Sequence, residues 1–214
     1  ITASGGPFRK KTFKDLSSVT LEDALNHPTW NMGTKITIDS ATLVNKCLEL
    51  IEAHYLFQIP ESQIEIVVHP QSIIHSMVTF IDGSSIAQMS NPNMEVPIAN
   101  ALSLDERLSI DFEGINFSEL NLSFESIPDG REIIFEMARE VCKKKGSLGV
   151  IFNASNEIAV EAFINKKINF IDIYKVIQRT FEHFQCSKVS TLEDIFEYDK
   201  QARIQAEKVI KSLH

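Results

Sequence analysis

The residues best suited to chemistry lie in one short stretch, Asp39-Ser40-Ala41-Thr42-Leu43-Val44-Asn45-Lys46-Cys47-Leu48-Glu49. Wound as a helix at roughly 100° per residue, it places Thr42, Asn45, Lys46, Glu49 and Glu52 within an arc of about 120°. The apolar stripe of Val44, Cys47, Leu48, Ile51 and Tyr55 lies opposite. One face therefore presents an amide, an ammonium and a carboxylate within about one turn. An ammonium and an amide bind phosphate oxygens well, and a carboxylate one turn on can hold a divalent cation. Ser40, at the expected helix start, adds a hydroxyl and free backbone N–H groups that suit an anion. On spacing alone, a solvated face with an ordinary i,i+3 Lys–Glu pair is the commoner outcome.

Two further segments offer binding chemistry. In Ser4-Gly5-Gly6-Pro7-Phe8 the paired glycines let backbone approach a ligand closely and can shape a small anion nest, although a plain strand-to-loop turn serves as well. His27-Pro28-Thr29-Trp30-Asn31-Met32-Gly33 carries the only tryptophan, on a loop that could close over a ligand or simply be anchored by one buried indole. The remaining signals are weaker. His69 and His75 flank a break at Pro70-Gln71-Ser72 and make a poor shared metal site, and His54, His183 and His214 read as incidental. Met89, Met94 and Met137 read as core filler. There is no GxGxxG and no GxxxxGK[ST], so the chain shows no nucleotide fold of its own.

The elements that must position these residues follow from periodicity. The first residues read as the end of a buried strand entering a glycine turn, which suggests a chain cut in mid-strand. A helix is expected over 40–57, capped by Asp39 or Ser40 and ended by Ile59-Pro60. Strands are expected over 64–69 and 73–81, with a tight turn at Asp82-Gly83 returning a partner strand over 85–90. Residues 104–128 mix apolar and polar types without a period and read as an extended connection. Helices then follow over 131–145, 148–165, 171–185 and from a capping box at Thr191-Leu192-Glu193-Asp194 to 213. The expected fold class is α+β, a small α/β unit with a β-hairpin followed by an all-α bundle, divided as 1–103, a 104–129 linker and 130–214.

Bulk properties narrow the partners. A chain of 214 residues can bury a real core. Its net charge of -8 argues against duplex nucleic acid or an anionic membrane, while leaving room for a local cationic pocket and a phosphorylated small molecule. Three scattered cysteines fit neither a disulfide framework nor a zinc site, and point to a reducing compartment. No run is long and apolar enough to span a bilayer, and the first residues do not form a signal peptide.

Taken in order, Ser4-Gly5-Gly6-Pro7-Phe8-Arg9, the His27–Gly33 loop, Lys35-Ile36-Thr37-Ile38-Asp39-Ser40-Ala41-Thr42, Asn45-Lys46-Cys47-Leu48-Glu49, His69-Pro70-Gln71-Ser72-Ile73-Ile74-His75-Ser76 and Asn153-Ala154-Ser155-Asn156-Glu157 resemble one family over essentially the whole chain. That family is the deoxyxylulose phosphate reductoisomerases. The resemblance implies conversion of 1-deoxy-D-xylulose 5-phosphate to 2-C-methyl-D-erythritol 4-phosphate, by rearrangement on Mg²⁺ or Mn²⁺ and reduction by NADPH. It implies a phosphate clamp of Ser4, Ser40, Asn45 and Lys46 with His27 beside them, and Glu49 as one metal ligand. Glu49, His27 and Lys46 are the implied catalytic residues. Trp30 and Met32 would belong to a flap over the substrate, around 27–35. Gly33 would lie against the cofactor, with Ser72, Pro92 and Met94 bordering its nicotinamide end.

The resemblance also implies what is missing. The family's NADPH-binding domain and the acidic loop with two further metal ligands precede this sequence, so these residues alone are expected to bind no catalytic metal tightly and to lack turnover. Residues 1–103 would be catalytic and 130–214 a helical domain, in a protein that is a homodimer and resides in a bacterial cytoplasm or a plastid-type organelle. Two other readings stay open: a self-sufficient metal-dependent sugar-phosphate isomerase, needing more carboxylates around Glu49, and a non-enzymatic dimerisation module, which would not need the Ser40, Asn45, Lys46 and Glu49 set.

Overall fold

The chain is largely helical with two small sheets, an α+β architecture, in a computed structural model that describes residues 1–103, 106–109 and 111–213. Leu104, Asp105 and Ile110 of the expected connection, and His214, lie outside the described residues. Strand β1 (Thr2–Ala3) pairs in parallel with β2 (Val67–Val68), Thr2 opposite Val67 and Ala3 opposite Val68. The strand expected over 64–69 is this short because turns claim its flanks. Ile64 closes a 3-10 turn at Glu61–Gln63, and the His69 carbonyl accepts from the Ser72 N–H. Val68 bridges on to Glu125, so the extended chain at that residue lies beside this sheet. The hairpin β3 (Ile74–Thr79) and β4 (Ser85–Met89) forms as expected, with Gly83 at φ 83° and Asp82 Oδ1 accepting from both the N–H and the hydroxyl of Ser84.

Among the described residues eight α-helices carry the rest: α1 (Leu21–Leu25), α2 (Thr34–Thr42), α3 (Val44–Phe57), α4 (Glu95–Leu102), α5 (Glu132–Lys144), α6 (Leu148–Ile164), α7 (Phe170–His183) and α8 (Leu192–Lys211). The single helix expected over 40–57 is two helices. Leu43 at φ 68°, ψ 6° breaks them, and α2 begins nine residues earlier than Leu43, at Thr34 after an N-cap Gly33. Spacing could not reveal the break, because a left-handed leucine carries no glycine or proline signal. Helices α1 and α4 had no counterpart among the expected elements. The four later helices match closely, including the reciprocal cap between Thr191 and Asp194 at the start of α8.

One core joins the helices to the first half of the chain. Ile134, Met137, Ala138 and Val141 form the buried stripe of α5, and Ile173, Val176, Ile177 and Phe181 that of α7. They share a cluster with Ile38, Ala41, Val44 and Cys47 of α2 and α3. Burying each such aliphatic side chain contributes about 1.5–3 kcal/mol. The turn after β1 is tied in by Phe8, whose ring meets Phe170 edge-on at 5.1 Å and whose carbonyl accepts from the buried Arg131 guanidinium at 2.8 Å. Gly6, at φ 61°, lies directly under α2. A Cβ there would sit 2.8 Å from the Ser40 carbonyl and 3.0 Å from Ala41 Cα.

This contact predicts a difference between two glycines. Gly83→Ala meets open space and suffers only left-handed strain, about 1 kcal/mol. Gly6→Ala adds a collision with helix backbone and is expected to lose about 2–4 kcal/mol. Denaturant unfolding of the two variants checks this. Equal losses would mean that the close approach of the turn to α2 is not a constraint.

Candidate functional site

The break at Leu43 decides what α2 and α3 present. Leu43 donates its N–H to the Ser40 carbonyl at 3.2 Å, and the Tyr174 hydroxyl donates to the Thr42 carbonyl at 3.0 Å. Thr42 is fully buried; its hydroxyl donates to the Asp39 carbonyl and accepts from the Val44 N–H. Thr42 therefore does not share the Asn45–Glu49 face, as a single helix would require. Ser40 likewise lies near the C-terminal end of α2, not at a helix start with free N–H groups. The helix start is at Val44, so Asn45 and Lys46 occupy the first turn of α3, at the positive end of its dipole.

Ser40 finds its partner across the chain. His27 Nε2 lies 3.1 Å from the Ser4 hydroxyl and 3.1 Å from the Ser40 hydroxyl. Its Nδ1 accepts the backbone N–H groups of Thr29 at 3.1 Å and Trp30 at 2.9 Å, which fixes the ring proton on Nε2. Burial holds the His27 pKa below its usual value, favouring the neutral ring. Ser4 Oγ also accepts the Gly6 N–H at 3.2 Å. The glycine turn thus uses this N–H to orient Ser4. Both hydroxyls sit on acceptor contacts to one N–H and keep their own hydrogens to donate.

These groups line a cavity of about 610 Å³. Ser4, Ser40, Asn45, Lys46 and Glu49 face it, as do Trp30, Asn31 and Met32 from the loop, and Ser72, His75, Ser90 and Met94 from the hairpin side. Glu49 takes both oxygens to Lys46 Nζ, at 2.7 and 2.8 Å, and Oε1 also accepts from Asn45 Nδ2 at 2.7 Å. One carboxylate with an ammonium and an amide already on it is not a metal site by itself. Among the described residues no group of three or more His, Cys, Asp or Glu could hold a metal ion.

Other expected residues are placed differently. His27 reaches the cavity only through its two serines, while Gly33 and Pro92 are not among the lining residues. Gly33 caps α2, so the loop expected to reach residue 35 is already helical at Thr34. Ser72 stands at φ 53°, buried, in the turn before β3. His69 is wholly buried. Its Nε2 accepts the Ile73 N–H, so its Nδ1 donates to the Ser123 carbonyl at 2.9 Å and holds the extended segment in place. His54 bonds the Ile59 carbonyl. His75, weak in the sequence, lies on the cavity wall and bonds Ser90, whereas Gln88 and Asn93 are lining residues that no pattern singled out. Of the Asn153–Glu157 segment, none lines the cavity. Asn156 instead donates to buried Asp39, and Glu157 pairs with Arg203.

Chemically, Ser4, Ser40, Asn45 and Lys46 offer hydroxyl, amide and ammonium donors at a helix N-terminus, a set suited to an oxyanion. The loop adds an aromatic and an apolar side chain to the lining, Trp30 and Met32. Residues 1–57 match the 1-deoxy-D-xylulose 5-phosphate reductoisomerase C-terminal domain, and residues 89–205 match the DXP reductoisomerase C-terminal domain. The 1-deoxy-D-xylulose 5-phosphate reductoisomerase of Zymomonas mobilis is 48% identical over 214 residues, which is 100% of this chain and 55% of that protein. That of Thermodesulfovibrio yellowstonii is 48% identical over 212 residues, 98% of this chain and 55% of that protein. A structure of the Zymomonas mobilis enzyme in complex with NADPH superimposes with a TM-score of 0.91 at 46% identity, covering 99% of this chain and 55% of the other. A DOX-P reductoisomerase in complex with NADPH, fosmidomycin and magnesium gives 0.89 at 39% identity, over 100% and 55% of the two chains. The chain spans little more than half the length of these relatives, and it belongs to the 1-deoxy-D-xylulose 5-phosphate reductoisomerase family.

Proposed function

We propose that these residues form the substrate-holding part of a reductoisomerase that converts 1-deoxy-D-xylulose 5-phosphate to 2-C-methyl-D-erythritol 4-phosphate in non-mevalonate isoprenoid biosynthesis, using NADPH and a divalent metal. The observation that carries this reading is the pair of serine hydroxyls joined by one neutral histidine, facing Asn45 and Lys46 at the start of α3. In it, Ser4, Ser40, Asn45 and Lys46 hold the phosphate. His27 acts by keeping both hydroxyls as donors. Binding energy spent on this remote group orients the reacting carbons further along the cavity. Trp30 and Met32 close the loop side and exclude water. Ser72 and Met94, with Pro92 and Gly33 farther out, border the nicotinamide.

A divalent cation supplies Lewis-acid polarisation of the substrate carbonyl, and NADPH supplies the hydride. Glu49 fits as one ligand of such a cation among others from outside these 214 residues. The structures of relatives with NADPH and magnesium support both cofactors. A self-sufficient isomerase has no comparable support, since the carboxylates it would need around Glu49 are absent among the described residues. The same reading divides the chain into a catalytic part, 1–103, a connection, 104–129, and a helical part, 130–214. It places the enzyme in the cytoplasm or a plastid-type organelle, and pairs it as a homodimer through the hairpin, where Val78, Phe80, Ile81 and Ile86 are exposed. No described helix is long and apolar enough to cross a membrane.

Two experiments test this reading, both on a protein of the relatives' full length. With divalent cations chelated away, Glu49→Gln frees Lys46 and Asn45 and removes a negative charge beside the phosphate. Inorganic phosphate should then bind about three- to tenfold tighter by calorimetry, consistent with roughly 1 kcal/mol of Coulomb repulsion across a partly solvated site. With Mg²⁺ restored, the same variant should lose sugar-phosphate-dependent NADPH oxidation. Full activity would remove Glu49 from the metal's ligands.

The second experiment concerns His27. Its folded pKa lies below the unfolded value of about 6.5, so between the two the unfolded chain binds more protons and stability falls as pH falls. Above the unfolded pKa the contribution is complete. Wild type is therefore expected to lose more thermal stability than His27→Gln between pH 7 and 5.5. Parallel losses would mean that the ring is not held neutral.

A further inference from the structure

We infer that Asn156, on the buried helix α6 and outside the cavity lining, is a positioning residue for the phosphate clamp, acting through Asp39 on its neighbour Ser40. This rests on the phosphate reading given above and goes beyond the residues that line the site.

Asp39 is 2% exposed and Asn156 is 0% exposed, so their contact is a buried amide-to-carboxylate hydrogen bond. Asn156 Nδ2 donates to Asp39 Oδ1 at 2.9 Å, while Asp39 Oδ2 pairs with Lys35 Nζ at 2.7 Å. The amide orientation is fixed by charge, since a carbonyl oxygen turned toward the carboxylate would be repelled. The consequence is visible in Asn156 Oδ1, which is buried and finds no hydrogen-bond partner. Leaving a buried carbonyl unsatisfied is unfavourable, so the bond to Asp39 is held against a local penalty.

The placement of that bond gives it leverage. Asp39 immediately precedes Ser40, one turn before the left-handed joint at Leu43. Helix α2 is only nine residues long, and its far end is Gly33, where the Trp30–Met32 loop begins. Core packing of Ile38 and Ala41 seats this short helix, but apolar contacts are non-directional and tolerate small rotations about its axis. Two side chains from the later helices add directional bonds that set that rotation: Asn156 at Asp39 and Tyr174 at the Thr42 carbonyl. Rotating α2 by a few degrees would move Ser40 Oγ away from His27 Nε2 while leaving Asn45 and Lys46, on α3, where they are. Without Asn156 the serine half and the lysine half of the clamp fall out of register.

The test uses a protein of the relatives' full length. Asn156→Ala is expected to weaken inorganic phosphate about tenfold in calorimetry and to raise KM for the sugar phosphate by a similar factor, with KM for NADPH unchanged. Asn153→Ala, one turn away on α6, should change none of these. The exchange Asn156→Asp with Asp39→Asn restores an amide–carboxylate pair in reverse and is expected to recover phosphate affinity lost by either change alone. That recovery separates positioning from general loss of stability, and thermal unfolding shows whether each variant is folded. If folded Asn156→Ala binds phosphate like wild type, or if phosphate and NADPH constants rise together, the inference is overturned and the phosphate reading stands. If wild type binds no phosphate at all, both fall.

Discussion

A leucine in a left-handed backbone conformation is unfavourable by about 1–3 kcal/mol, and the joint between α2 and α3 is built on one. It persists because its surroundings determine it. The Leu43 side chain is 2% exposed, its N–H is bonded to Ser40, and the carbonyl before it is capped by Tyr174. The direction change at this residue sets Ser40 at the end of one helix and Asn45 and Lys46 at the beginning of the next. A straight helix through 40–57 would have put Ser40 and the α3 dipole on a common axis. The bend lets hydroxyls and cation approach one volume from two sides. The cavity, the register of its donors and the path of the flanking loop all follow from that geometry.

The helices after residue 130 matter for the same reason. They share a core with α2 and α3, and their buried polar contacts fall on the joint: Asn156 on Asp39, Tyr174 on Thr42, Arg131 on the turn carrying Ser4. Burial pushes the Tyr174 phenol pKa well up, so its hydroxyl remains a donor throughout the ordinary pH range. Buried polar groups add little net stability once desolvation is counted, but a wrong arrangement of them is strongly unfavourable. They specify where α2 sits more than they hold it down.

How far the sequence carried the reading follows from the same physics. The amphipathic helices from α5 onward were legible nearly to the residue, because stripes such as Ile134, Met137, Ala138 and Val141 and the cap at Thr191 are local signals. The Asn45–Glu49 set and the Ser4 and His27 segments were legible as candidates, and the family resemblance joined them. What stayed hidden was non-local. Leu43's conformation is imposed by packing and by Tyr174, 131 residues away, and nothing about a leucine announces it. The role of Thr42 was misread for that reason alone. The link from Asn156 to Asp39 spans 117 residues, and its amide looks like any polar position on a helix. Ser72's left-handed turn was equally silent.

The charge balance of the site ties its two ends together. Apart from Lys46 and Glu49, the groups proposed to hold phosphate are neutral: two hydroxyls, an amide and a histidine whose proton is confined to Nε2. Lys46 and Glu49 cancel while they bond each other. On the proposed reading, a clamp of that composition would meet a phosphate with no net charge of its own, inside a protein of net charge -8. Hydrogen bonds and the α3 dipole supply the attraction, the latter typically under about 1 kcal/mol for a partly exposed helix end. For Lys46 to turn fully to the phosphate, Glu49 must find another cation, because an unpaired carboxylate beside a dianion in a half-enclosed cavity is repelled. The phosphate end and the acidic end thus pose one electrostatic requirement between them. A cation at Glu49 would meet it for both, which makes the two binding events mutually reinforcing by linkage.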